Sequence, residues 1–292
     1  MKILAPAKIN IYLEVLGKRP DGYHELRTIM VPLAFGDEIL LDAAPQGITL
    51  DAQGCGCPES DNLAYRAARL FFAETGIARG VIIKILKRIP VGAGLGGGSS
   101  DASSVLLGMD ALFKTGLGIE GLSRLAGKLG ADCPFFIYRR PMLMGSRGDV
   151  PISEVRIEER SYLIVVPPVS ISTAVVFSKL TFPLTQEGDR IKIDRYYCIA
   201  PEHMVKNDLE SVACNIYPGL TRLKGELISS GALKAGMSGS GSAVFGVYES
   251  EAHLCSALSR LARHEGYVYI PTTRLTGEMY GDYRGQGVSG QG

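Results

Sequence analysis

Between Pro90 and Ala102 the chain reads PVGAGLGGGSSDA, where Gly92, Gly94, Gly96, Gly97 and Gly98 run directly into Ser99 and Ser100. No packed core has a use for so much backbone freedom. Lacking a Cβ, Gly94, Gly96, Gly97 and Gly98 can take positive φ and let successive N–H groups converge on an anion. The helical pattern that follows adds the positive end of a helix dipole. An apolar strand, Val81 to Ile89, feeds the loop. Phosphate is the guest that such a cradle suits. The segment is not GxxxxGK[ST], which needs a lysine where Ser99 and Ser100 stand, and it is not a dinucleotide fingerprint. A flexible linker is the plain alternative, but linkers do not deliver into an amphipathic helix.

Other polar groups recur near probable turns and strands. Ala7-Lys8-Ile9-Asn10 opens a segment in which Ile9, Ile11, Leu13 and Val15 alternate with Lys8, Asn10, Tyr12 and Glu14. That period of two predicts a strand with one buried and one exposed polar face, so Lys8 and Asn10 point the same way. Tyr23 and His24 follow a Pro-Asp-Gly turn, a position suited to ligand contact. A second Gly/Ser turn, Gly236 to Ser242, precedes a strand from Ala243 to Tyr248. Taken singly, Lys8 reads as a solvated lysine, Asp132 as a turn cap and the Tyr23-His24 pair as half-buried packing.

The elements that must hold these groups are legible from periodicity. Asp61 or Ser60 can cap a helix whose Leu63, Ala67, Leu70 and Phe71 share a face and which stops at Gly76. A second helix starts at the serines and carries Ala102, Val105, Leu106, Met109, Leu112 and Phe113. A third, with Leu122, Leu125, Ala126 and Leu129, ends at Gly130 and hands over to a strand from Pro134 to Tyr138. Mixed charge with Gly and Pro from Pro141 to Arg160 marks a domain junction. Beyond it the pattern predicts a strand from Tyr162 to Pro167, helix-like Thr173 to Leu180 and a polar stretch from Thr185 to Asp194. A helix with Leu220, Leu223 and Leu227 and another from Glu251 to Glu265 follow. The tail, 277–292, has little to bury and is expected to be disordered.

At 292 residues and 46% hydrophobic content the chain can form one large or two ordinary domains. Charge is nearly balanced, 31 basic against 30 acidic residues, which favours a small-molecule partner over nucleic acid. Lys2, Lys8, Asn10 and Glu14 interrupt the first fifteen residues, and no 18-residue uncharged apolar run occurs, so a soluble cytoplasmic protein without a membrane partner is expected. The six cysteines should then stay reduced, with Cys133, Cys198, Cys214 and Cys255 in or near the core. Cys55-Gly56-Cys57 lacks a second pair at zinc spacing, so no side chain is assigned as a metal ligand.

The central loop, the PAKIN segment and the MSGSGSAVFG run together resemble the GHMP kinase superfamily, small-molecule kinases named for galactokinase, homoserine kinase, mevalonate kinase and phosphomevalonate kinase. Arg19-Pro20-Asp21-Gly22-Tyr23-His24, Asp61-Asn62-Leu63, Gly130-Ala131-Asp132-Cys133-Pro134-Phe135-Phe136 and Asn207-Asp208-Leu209-Glu210 extend the likeness over roughly residues 3 to 275. They are similar to the branch that acts on a cytidine-diphosphate-linked methylerythritol in the non-mevalonate route to isoprenoid precursors. The resemblance implies a two-domain α/β (α+β) fold, with a ribosomal protein S5 domain 2-like N-terminal domain over 1–155 and a ferredoxin-like C-terminal domain over 156–276. It implies transfer of the γ-phosphoryl of ATP, assisted by Mg²⁺, to the acceptor's 2-hydroxyl.

In that likeness the loop Pro90, Val91, Gly92, Ala93, Gly94, Leu95, Gly96, Gly97, Gly98, Ser99 and Ser100 wraps the triphosphate. Asp132 accepts or orients the hydroxyl proton, and Lys8 sits beside the same hydroxyl and holds Asp132 ionised. Tyr23 stacks on the cytosine and His24 bonds its polar edge, while Asn10 and Thr173 line the same pocket. Asn62 and Lys87 border the adenosine, and Ser99, Ser100 or Ser103 helps hold Mg²⁺ through hydroxyl and water. Cys133 stands where valine is usual, and Tyr138-Arg139-Arg140-Pro141 where glycine is common. Rival readings are another kinase of the superfamily, acting on homoserine or mevalonate, and a non-catalytic nucleotide-binding protein on the same scaffold. The former would lack the Pro-Asp-Gly-Tyr-His segment; the latter would have no need of Lys8 and Asp132.

Overall fold

The computed structural model describes residues 1–181 and 198–277. Two long strands, β1 (Lys2–Lys18) and β2 (His24–Ala44), pair antiparallel along most of their length. β3 (Ile48–Asp51), β4 (Gly80–Leu86) and the short β8 (Lys206–Asn207) complete the order β3-β4-β2-β1-β8. The hairpin β5 (Met142–Gly145) and β6 (Val150–Glu154) joins the sheet where β5 pairs with the first part of β2. The second sheet, wholly antiparallel, runs β11-β7-β10-β9, built from β7 (Ser161–Val166), β9 (Lys234–Met237), β10 (Val244–Tyr248) and β11 (Val268–Thr273).

Helices α1 (Leu63–Thr75), α2 (Gly97–Phe113) and α3 (Gly118–Gly127) cover one face of the first sheet, with Ala67, Phe71, Val105, Leu106 and Leu125 packed on Ile3, Ile39, Leu41 and Ile83. The other face of that sheet meets the second sheet, where Ile9, Ile11, Ile29 and Val31 share a core with Ile164, Phe245, Val247 and Ile270. Alternate residues of β7 and β10, among them Leu163, Val165 and Val244, turn away toward α5 (Thr173–Ser178), α6 (Glu210–Ile216), α7 (Gly219–Ser229) and α8 (Glu251–Arg260). The layers are helix, sheet, sheet, helix. Each bulky apolar side chain between the sheets is worth roughly 1.5–3 kcal/mol, against about 0–1 for a surface ion pair. The sheet-on-sheet core therefore fixes the two walls of the site.

This packing corrects the reading of β1. Its polar residues do not face solvent: Lys8 is 3% exposed, Asn10 2% and Glu14 0%. Period two reports which residues alternate, not what closes over the polar side, and here the turns at Gly96 and Gly239 lie against Lys8 and Asn10. The strand expected from Pro134 to Tyr138 is instead a helix, α4 (Cys133–Tyr138), with Pro134 in its first turn. A short apolar run has the same signature in a buried helix as in a buried strand, and proline in the first helical turn is the distinguishing sign. Arg139, at φ 53, ends α4 in the left-handed region.

Smaller differences have local causes. The cap of α1 is neither Ser60 nor Asp61 but Asn62, whose Oδ1 accepts from the Ala64 N–H at 2.9 Å. β4 stops at Leu86 rather than Ile89, α2 begins at Gly97 ahead of the serines, α3 ends at Gly127, and α8 ends at Arg260 rather than running to Glu265. Gly236 lies inside β9, not in the following turn. The stretch from Pro141 to Arg160 contains the β5–β6 hairpin of the first sheet. Cys133 is buried as expected, whereas Cys198 and Cys255 are exposed. Periodicity does not single out β2, β3, β8, β9 or β11. The polar stretch from Thr185 to Asp194 and the tail beyond Gly277 lie outside the described residues.

Candidate active site

The glycine loop joins β4 to α2 and opens on a cavity of ≈ 390 Å³ lined by Pro90 to Ser99, Asn62, Lys87 and Asp101. Gly92, Gly94 and Gly96 take positive φ (72°, 79° and 73°), whereas Gly97 and Gly98, expected to do the same, are the first residues of α2. Gly96 caps that helix without a side-chain acceptor, so the opening N–H groups of α2 are left to a ligand. Ser100 does not line the cavity; its hydroxyl is buried and without a partner. Gly94 is required by contact as well as by φ, since a Cβ there would lie 2.4 Å from the Ser238 carbonyl oxygen.

The loop is stitched to both sheets. Lys8 N–H donates to Leu95 O at 3.0 Å, and Ala243 N–H to Ala93 O at 3.0 Å. The Ser238 hydroxyl donates to Gly94 O at 3.0 Å and accepts from the Asn10 N–H at 3.3 Å. Asn207 in turn donates through Nδ2 to Met237 O at 2.8 Å and Gly239 O at 2.7 Å, and Glu210 Oε2 accepts from the Met237 N–H at 3.0 Å. Asp208 Oδ2 accepts from Val15 N–H at 2.8 Å and ties the same segment to β1. These residues were visible as a motif, but their bracing role depends on contacts between distant segments.

A larger cavity of ≈ 920 Å³ lies on the other side of the loop and shares Gly94, Gly96 and Ser99 with the first. Lys8 and Asp132 line it near that shared wall. Lys8 Nζ lies 2.5 Å from Asn10 Oδ1 and 3.8 Å from Asp132 Oδ2. Asn10 is held in turn by Nδ2 donating to Thr28 Oγ1 at 2.8 Å. A buried ammonium is costly unless it is paired and hydrogen-bonded, and here it is both. Asp132 precedes α4, with its side chain 35% exposed.

Tyr23, His24 and Thr173 line the far part of the same cavity. His24 stacks on Phe177 with ring centroids 4.9 Å apart. Burial, with the nearby Lys18 charge, holds the His24 imidazole below its ordinary value, so it is neutral near pH 7. Thr173 Oγ1 is 2.7 Å from Ser240 Oγ. Phe177 was missed, although it stands four residues after Thr173 on the helix-like segment and so on the same face. Arg147, also missed, comes from the β5–β6 turn and places its guanidinium 4.9 Å over the Tyr23 ring.

Behind the first cavity Lys87 Nζ bridges Asp37 Oδ2 at 2.5 Å and Asp101 Oδ2 at 2.8 Å. Burial works against its charge, but the two carboxylates outweigh it and raise the lysine further. Asp37 also accepts from the Arg88 and Ile89 N–H groups at 2.5 and 2.8 Å, which anchors the start of the loop. Ser103, one of three hydroxyls considered for Mg²⁺, is buried and donates to Cys133 O at 2.7 Å. Among the described residues no group of three His, Cys, Asp or Glu side chains is placed to hold a metal, and no helix is long and apolar enough to cross a membrane.

Comparison with known proteins bears on the whole chain. Residues 62–140 match the GHMP kinases N terminal domain and residues 194–267 the GHMP kinases C terminal domain. The 4-diphosphocytidyl-2-C-methyl-D-erythritol kinase of Citrifermentans bemidjiense is 42% identical over 272 residues, covering 91% of this chain and 96% of the relative. That of Acetivibrio thermocellus is 38% identical over 281 residues, covering 94% and 99%. A crystal structure of 4-(cytidine 5'-diphospho)-2C-methyl-D-erythritol kinase superposes with a TM-score of 0.77 at 32% identity, over 94% of this chain and all 100% of the other. Homoserine kinase from Cytophaga hutchinsonii, at 16% identity and a TM-score of 0.70, shares the fold. With such identity sustained through both halves, the chain belongs to the GHMP kinases, in the 4-diphosphocytidyl-2-C-methyl-D-erythritol kinase family.

Proposed function

We propose that the protein transfers the γ-phosphoryl of ATP to the 2-hydroxyl of 4-diphosphocytidyl-2-C-methyl-D-erythritol, a step in the non-mevalonate supply of isoprenoid precursors. One observation carries this reading: two cavities share the wall of one glycine loop, and the Lys8–Asp132 pair stands beside that wall. ATP occupies the smaller cavity, with Asn62 and Lys87 toward the adenosine and its phosphates on the loop. The acceptor occupies the larger one, its cytosine on Tyr23 and against His24, with Asn10 and Thr173 along its length. The acceptor oxygen attacks the γ-phosphorus, the bond to the β–γ bridging oxygen breaks, and ADP leaves. Asp132 takes the hydroxyl proton or orients it, and the Lys8 ammonium neutralises charge on the transferred group.

A hydroxyl oxygen suits a hard cation, so Ser99, which lines both cavities, fits Mg²⁺ held mainly by the phosphates; bound there, the ion would neutralise triphosphate charge. We assign residues 1–155 to the ATP-binding half and 156–276 to the C-terminal half. Near-balanced charge supports a cytoplasmic enzyme of small molecules, with no nucleic-acid or membrane partner.

Asp132→Asn keeps the shape and removes the charge, so kcat should fall by about a hundredfold or more while ATP affinity changes little. Lys8→Met should also depress kcat. Steady-state rates with calorimetric ATP binding check both. An Asp132→Asn enzyme within about threefold of wild type would remove Asp132 from the chemical step.

A further inference from the structure

The acceptor carries a diphosphate between its cytosine and its reacting polyol, and that charge needs a partner in the larger cavity. Lys8 is already committed to Asn10 and Asp132 at the transfer end. Two other cations line the wall, Lys18 and Arg147, on the side that holds Tyr23 and His24. Lys18 is exposed and makes no ion pair among the described residues.

Arg147 is the more pre-organised of the two. Its Nε and Nη2 both donate to Asp149 Oδ2, at 3.1 and 2.7 Å, and its backbone N–H donates to Asp149 Oδ1 at 3.2 Å. One edge of the guanidinium is thereby fixed, and one face lies over the Tyr23 ring at 4.9 Å. Nη1 has no hydrogen-bond partner among the described residues, and the side chain is 34% exposed at the cavity wall. The turn beneath is equally constrained. Ser146 and Gly148 take positive φ (59° and 89°), Ser146 O accepts from the Leu26 N–H at 2.6 Å, and its hydroxyl accepts from Arg19 Nη1 at 3.1 Å. Arg19 itself is spent on Asp21 and Glu25. The hairpin turn and the Arg19–His24 turn therefore form one braced unit.

We propose that Arg147, with Lys18 on the same wall, is the anion subsite for the acceptor's diphosphate: Tyr23 backs the guanidinium plane, Asp149 fixes one edge, and Nη1 donates to the phosphate oxygens. This rests on the acceptor reading given above. It makes Arg147 a specificity-determining residue, because homoserine and mevalonate offer no diphosphate at that place. A planar, anchored guanidinium loses little freedom on binding, which favours it over an exposed lysine for this task.

The test is calorimetric titration of wild type and Arg147→Gln with cytidine and with cytidine 5'-diphosphate, alongside steady-state kinetics on the cytidylylated acceptor. Wild type should bind the diphosphate more tightly than the nucleoside. Arg147→Gln should weaken cytidine 5'-diphosphate by about tenfold or more and cytidine by no more than about twofold, raising KM for the acceptor with little change in kcat or ATP affinity. Retained ATP binding also certifies that the variant is folded. Equal losses for the two probes would show that Arg147 acts only through Tyr23, and an unchanged diphosphate affinity would show that it does not act at all; either overturns the proposal. A wild type that ignores the cytidylylated acceptor would instead overturn the acceptor reading, before any variant is made.

Discussion

Replacing Gly94 by alanine tests whether the glycine loop is shaped by its contact with the Met237–Ser242 turn. At φ +79° a Cβ costs about 1–2 kcal/mol in left-handed strain. That Cβ would also lie 2.4 Å from Ser238 O and 3.0 Å from Gly241 O, both backbone atoms, so loop and turn must separate. Separation stretches the 3.0 Å bond from the Ser238 hydroxyl to Gly94 O, worth about 1 kcal/mol more. The sum, roughly 2–3 kcal/mol, corresponds to a loss of roughly 3–5 °C in Tm for a protein of this size. Gly98 is the internal control. It is helical, and its Cβ would meet only Leu63 Cδ1 at 3.8 Å. Gly98→Ala should leave Tm unchanged or raise it, since alanine is favoured over glycine in a helix by up to about 1 kcal/mol. Thermal unfolding of the two variants, with calorimetric ATP binding, reads the contrast. A Gly94→Ala protein that melts with wild type and binds ATP normally would refute the packing argument.

Two further outcomes concern the acceptor end. Tyr23→Ala should lose roughly 1–3 kcal/mol of acceptor binding while Tyr23→Phe is mild and ATP affinity is unchanged in both, since the ring face is what a base uses; acceptor titrations of the two variants decide this. Burial and the Lys18 charge hold the His24 imidazole below its ordinary value, so it stays neutral to lower pH than a free histidine. On acidification KM for the acceptor should therefore begin to rise at lower pH than an ordinary imidazole would set, the same acid side on which the stability contribution of neutral His24 is lost. A KM that climbs between pH 7.5 and 6.5, in step with an ordinary imidazole, would contradict the environment described for His24.

How much of this was legible in the sequence follows from what each residue does alone. The glycine loop was legible because glycine is nearly the only residue able to sit at Gly92, Gly94 and Gly96, and because the helix after it has its own period. Lys8 and Asn10 share one strand face as the alternation implies, but that face is buried, since nothing in an alternating pattern announces that the glycine loop and the Met237–Ser242 turn close over it. α4 was mistaken for a strand for a related reason: all five residues from Cys133 to Ile137 are buried, so no polar face reveals the period. Asn62 took the capping role assigned to its neighbours because only its side chain reaches the Ala64 N–H. Phe177 is within reach of sequence spacing, four residues after Thr173 on one helix face, whereas Arg147 and the Asn207–Glu210 brace act across separations of dozens of residues or more. Sequence spacing carries no trace of such meetings.

The central claim is that the two cavities on either side of the loop hold ATP and a cytidylylated polyol for direct transfer. Incubating the purified protein with ATP and, separately, 4-diphosphocytidyl-2-C-methyl-D-erythritol, methylerythritol, homoserine and mevalonate, and following ADP release with ³¹P NMR of the products, tests it most directly. The expected result is equimolar ADP and a single new phosphomonoester on the cytidylylated acceptor's 2-hydroxyl, with the other three alcohols very poor substrates. Ready phosphorylation of homoserine or mevalonate, with the cytidylylated acceptor untouched, would contradict it.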